Sequence, residues 1–189
     1  MAKSIRMTAT ELTPQEKTLK RVLGMSRING WGVVIFAVLG TLIALLMGDL
    51  SSVGVGVLVT IGGWMEVHGH HLLKRRNPDG MKWLVRSQLF LLAVILVYCA
   101  GRLGSFDGEG AMGNLTPDME AVLQEAGIAK GDILPLVRLA FFATYASFAI
   151  ATLIYQGGLA IYYRSKVDAV VTALSSPPRP RVSHLPPSV

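Results

Sequence analysis

One cysteine in 189 residues rules out an intramolecular disulfide, and Cys99 lies inside an apolar run that favours an inert thiol. Charge is scarce too. Asp, Glu, Lys and Arg make up 16% of the chain, against about 25% in an ordinary soluble domain. Enzyme motifs are missing: there is no phosphate-cradling glycine loop, no His-Glu pair at metalloprotease spacing and no serine–histidine arrangement. The acidic residues lack calcium-loop spacing, and the basic ones are not interleaved with aromatics as in a nucleic-acid patch. No internal repeat is visible. These absences argue against an enzyme, a disulfide scaffold and a nucleic-acid partner.

What the chain has is long apolar runs, at about 31–48, 53–73, 83–103 and 136–163. A hydrocarbon core about 30 Å thick takes about 20 helical residues to cross. Backbone groups in lipid must be satisfied internally, and these runs are too long and too evenly apolar for barrel strands. The expected fold is all-α: an integral membrane four-helix antiparallel bundle over residues 31–163, with an N-terminal amphipathic helix in the 1–30 tail and a short helix in an external loop, 104–135. The first run begins too late for an ordinary secretory signal and has no small-residue cleavage site, so it reads as a retained anchor.

Basic residues are divided unevenly between the two ends of these spans. Lys3, Arg6, Lys17, Lys20, Arg21 and Arg27 precede the first run; Lys74, Arg75, Arg76, Lys82 and Arg86 surround the second link; Arg164, Lys166, Arg179 and Arg181 follow the fourth run. Arg102, Lys130 and Arg138 alone lie on the opposite side, beside Asp107, Glu109, Asp118, Glu120, Glu125 and Asp132. By the positive-inside rule both termini are expected in the cytoplasm, with the protein multi-pass in the cytoplasmic (plasma) membrane.

Local signals mark the connections. Thr13-Pro14-Gln15-Glu16 reads as a capping box, opening a helix with Leu19, Val22, Leu23 and Ser26 on one face. Asn29-Gly30 is the expected joint between this helix and the first span, if the two are separate. Short turns at 48–52 and 74–80 make hairpins of successive spans. Thr116-Pro117-Asp118 opens the loop helix and Gly127 closes it, with Met119, Val122, Leu123 and Ala126 at helical spacing. Residues 164–189 are expected to form a proline-rich cytoplasmic tail. The tight hairpins and larger second external loop resemble tetraspan membrane proteins in topology, without their loop cysteines.

The second run carries the unusual chemistry: Gly62-Gly63-Trp64-Met65-Glu66-Val67-His68-Gly69-His70-His71. Glu66 and His70 lie about 40° apart on one helical face. A carboxylate at membrane depth costs about 2.5–3.5 kcal/mol on insertion scales, so it must be paired, protonated or wetted. Three readings of the polar cluster Glu66, His68, His70, His71 and Arg86 stay open. In the first, Glu66 pairs with Arg86 across the hairpin. In the second, Glu66 and His70 belong to a proton or cation path. In the third, the same two are metal ligands, a set that needs a second copy of the chain to complete it; no cofactor is expected.

Small residues at Ala143, Ser147 and Ala151 in the fourth run, and the glycines of the second, permit close helix approach. The functional expectation is a non-enzymatic structural or accessory component of a membrane complex or homo-oligomer, with the lipid bilayer as its surroundings. The alternative is a small ion or proton channel or transporter subunit using Glu66 and His70.

Overall fold

A computed structural model describes residues 12–108, 110, 116–127 and 129–176. Every secondary-structure element among them is an α-helix, and four of the helices are long and apolar enough to cross a membrane. These four are α1 (Pro14–Leu46), α2 (Leu50–Lys74), α3 (Asp79–Gly104) and α5 (Lys130–Ser165). Two short helices are α4 (Pro117–Glu125) and α6 (Val167–Ser175).

The capping box forms as expected. The Glu16 amide donates to Thr13 Oγ1 at 3.2 Å, and the Thr13 amide donates to Glu16 Oε2 at 2.7 Å. The helix it opens is not separate from the first apolar run. α1 passes through Asn29-Gly30 without a break for 33 residues, so no joint separates the N-terminal helix from the first span. Gly30 serves close approach instead of bending: a Cβ there would meet Val67 Cγ2 at 3.1 Å and Val67 N at 3.3 Å. The expected inward face is present, with Val22 and Ser26 buried and Leu19 and Leu23 packed on the core.

Each of the other three long helices starts earlier than hydropathy alone indicates, and in α2 a polar cap accounts for it. Asp49 caps α2 by accepting from the Ser52 amide at 3.1 Å. The turn before it needs a left-handed residue, supplied by Gly48 at φ 72°. α3 begins directly after Asn77-Pro78, and α5 begins at Lys130 with Pro135 in its second turn. α2 packs on α1 and α3, and α3 packs on α5. The α2–α3 contact is tight at one level, where a Cβ on Gly80 would lie 2.5 Å from the Gly69 carbonyl oxygen.

The core gathers at the basic end. Val22, Leu73, Met81, Leu84, Leu159, Tyr163 and Val170 interlock there, drawn from α1, α2, α3, α5 and α6. Away from it the helices present large apolar side chains outward, among them Phe36, Leu46 and Val97. α4 stands where its cap and its glycine predict, with Met119 and Val122 exposed.

The chain after Tyr163 departs from the expected tail. α5 runs to Ser165, and α6 follows and packs against α1, burying Val170 and Ala173. Arg76 fastens it. This residue adopts φ 60°, and its guanidinium donates to the carbonyls of Ala173, Leu174 and Ser176. A cation at the last carbonyls of a helix satisfies orphan acceptors and the negative end of the dipole together. The prolines from 177 onward lie outside the described residues.

Candidate functional site

The inward faces of four helices can be read from their buried positions. They are Val22, Ser26 and Gly30 on α1; Gly62, Glu66, Gly69, His70 and Leu73 on α2; Leu84, Ser87, Gln88 and Leu91 on α3; and Gln156, Leu159, Ala160 and Tyr163 on α5. Spacings of three and four keep each set on one stripe. Polar members of the four stripes meet around Glu66, which is 0% exposed.

Asn29 Nδ2 donates to Glu66 Oε2 at 2.6 Å, and Tyr163 Oη donates to Oε1 at 2.9 Å. Tyr155 Oη donates in turn to Asn29 Oδ1 at 2.7 Å, fixing the amide that faces the carboxylate. Gln88 borders the same carboxylate and also donates to Ser87 Oγ at 3.4 Å. One turn toward the basic end, His70 Nδ1 lies 3.1 Å from Ser26 Oγ. Gln88 Oε1 and Gln156 Oε1 are buried without a hydrogen-bond partner among the described residues. Neutral donors from α1 and α5, not a cation, therefore hold Glu66.

This arrangement corrects the expected ion pair. Arg86 is exposed on α3 and forms no ion pair among the described residues, because Ser87 and Gln88 occupy the face turned toward α2. The histidines divide. His70 shares the buried face with Glu66, whereas His68 and His71 are exposed on the opposite side of α2. The His68 ring lies edge-on to Trp83, with centroids 5.0 Å apart, and His71 Nδ1 lies 2.8 Å from the Val67 carbonyl oxygen. Among the described residues no three His, Cys, Asp or Glu side chains group as metal ligands.

Ser26, Asn29, Gln88, Tyr155, Gln156 and Tyr163 were not singled out for this network by sequence. Asn29 read as part of a joint. Gln88 and Gln156 carried a usable signal, since each is an amide inside an apolar run and so needs a partner.

A second polar group sits at the other end of α2 and α3. Arg102 Nη2 donates to Asp49 Oδ2 at 2.8 Å, and Arg102 Nε donates to Tyr98 Oη at 3.2 Å. The Ser51 and Ser52 hydroxyls, the Ser52 amide and then the Arg102 charge hold the Asp49 carboxyl well below its ordinary value of 3.8. A lowered carboxyl favours the folded state above that ordinary value, and the benefit fades as pH falls through the lowered one. Both partners are about one-third exposed, so this pair is a modest tie between the start of α2 and the end of α3.

Compared with known protein families, curated proteins and solved structures, the chain matches none of them.

Proposed function

We propose that the chain is a non-enzymatic integral membrane protein that acts as a structural or accessory component of a membrane complex or homo-oligomer. In this reading α1, α2, α3 and α5 cross the cytoplasmic (plasma) membrane as an antiparallel bundle, with both termini in the cytoplasm. Antiparallel order is supported by the facing pairs along α1 and α2: Gly30 with Val67, Val34 with Gly63, and Thr41 with Gly56.

The observation that carries the role is the state of α5. None of the most apolar 18-residue stretch of this helix is buried within the chain, although the corresponding stretches of α1, α2 and α3 all have buried members. Its exposed side carries Ala143, Thr144, Ser147 and Ala151, small residues beside a shallow groove that also includes Phe148. Small faces of this kind let a second helix approach closely in lipid, where packing and not water drives association. The conducting alternative, through Glu66 and His70, is less well supported. Both Glu66 oxygens are engaged by Asn29 and Tyr163, and the helices beyond it present mostly apolar side chains.

Cross-linking tests the role. In a Cys99→Ser background, Ser147→Cys is expected to form a dimer on mild oxidation in membranes, or a cross-link to a co-purifying chain identified by mass. Val97→Cys, exposed on α3, is expected to form neither. A monomeric mass in mild detergent, with no Ser147→Cys product, would rule out the accessory role.

Orientation has its own test, motivated by the fifteen-to-three division of basic residues. An impermeant maleimide added to intact cells should label Glu125→Cys and spare Asn77→Cys. The reverse pattern inverts the topology.

A further inference from the structure

α2 has a second polar face, and the Glu66 network does not use it. Trp64, His68, His71 and Arg75 follow one another at spacings of four, three and four, which keeps them within about 60° of one another around the helix. Glu66 lies about 200° away from Trp64 on the opposite side. The four side chains, with Trp31 of α1, line an open cavity of about 260 Å³.

The order of chemistry along this cavity is graded. Trp31 and Trp64 are 45% and 61% exposed at its deeper end, and both present flat apolar rings. His68 and His71 come next, and Arg75 stands at the last turn of α2. The Arg75 guanidinium makes no hydrogen bond or ion pair among the described residues. The Val67 carbonyl can only accept, so His71 Nδ1 carries the proton there. That leaves Nε2 as the ring nitrogen without a hydrogen bond among the described residues. Asp79, the nearest acid along the chain, is bonded to Lys82 at 2.9 Å and does not neutralise Arg75. Lys74 and Arg76 add positive charge beside it.

We infer that this cavity holds one anionic glycerophospholipid of the leaflet at the basic end, its phosphate on Arg75 and His71 and its acyl chains along Trp64 and Trp31. Charge complementarity selects the headgroup, and the indole rings, which favour the boundary between headgroup and hydrocarbon, set its depth. The inference rests on the reading that α2 crosses the bilayer.

Tryptophan quenching tests it on the full chain reconstituted in nanodiscs. Two of the chain's three tryptophans line the cavity, so a bromine-labelled lipid resident there dims the emission. Brominated phosphatidylglycerol is expected to quench at about fivefold lower mole fraction than brominated phosphatidylcholine. The preference should fall to about one in Arg75→Gln/His71→Gln and persist in Arg86→Gln, a basic residue toward the same end that lies outside the cavity. Equal quenching by the two lipids in the native chain overturns the inference. So does a loss in Arg86→Gln as large as in the double variant, which would mark diffuse surface attraction. Displacement by soluble glycerol phosphate also overturns it, in favour of a free phosphate ester. Quenching by neither lipid overturns it together with the membrane reading beneath it.

Discussion

Glu66→Leu is expected to destabilise the protein by about 2–4 kcal/mol, because it strands one buried donor, which costs about 1–3 kcal/mol when unsatisfied, and one half-buried donor, which costs less. The donors are Asn29 Nδ2 and Tyr163 Oη, which now meet the two carboxylate oxygens at 2.6 and 2.9 Å. Tyr163→Phe removes one of them and should cost less than Glu66→Leu. The double variant Glu66→Leu/Tyr163→Phe should lose less than the two single losses added together, since the phenol no longer lacks an acceptor. Arg86→Met, on the exposed face of α3, is expected to fall within about 0.5 kcal/mol of the native protein. Denaturant unfolding in bicelles, followed by tryptophan emission, measures all four. An Arg86→Met loss equal to that of Glu66→Leu would restore the ion pair and abandon the neutral network.

The second large effect lies where α2 and α3 touch. Gly80→Ala places a methyl group 2.5 Å from the Gly69 carbonyl oxygen and 2.7 Å from Leu73 Cγ. Neither the backbone oxygen nor the wholly buried Leu73 can move aside cheaply, so the helices must separate. Overpacking of this kind costs about 1–3 kcal/mol, and a backbone obstacle puts Gly80→Ala at the upper end. Gly54→Ala is the control. Nothing lies within 4 Å of the added carbon there, and alanine is the better helix former by about 0.5–1 kcal/mol. Opposite signs for the two substitutions in the same unfolding assay are the expected result. A neutral Gly80→Ala would show that the α2–α3 contact is looser than described.

Much of this architecture was legible because its causes are local. Thr13-Pro14-Gln15-Glu16 announces a helix start within four residues, and Thr116 and Gly127 bracket α4 in the same way. The four apolar runs needed only length and composition. What stayed hidden depends on direction around a helix or on distant partners. Arg86 was matched to Glu66 across the hairpin, but a hairpin says nothing of azimuth, and two residues of helix turn Arg86 about 200° from Gln88. Asn29-Gly30 has the composition of a turn, and only the nearness of Val67 shows why a glycine is needed in an unbroken helix. α6 had a signal that the nearby prolines masked: Val167, Val170, Val171 and Leu174 recur at spacings of three, one and three.

The Arg76 clamp has a consequence for how the molecule is made. Its guanidinium closes on carbonyls up to 100 residues further along the chain, and Val170 completes the same cluster that holds Val22 and Leu73. During synthesis the hairpin of α2 and α3 emerges long before either partner exists. The end of the molecule with the densest packing therefore stays open until residue 176 has left the ribosome. A chain stopped before Val167 carries all four long helices and still lacks the piece that locks them, so this end of the fold closes only once α6 has been made.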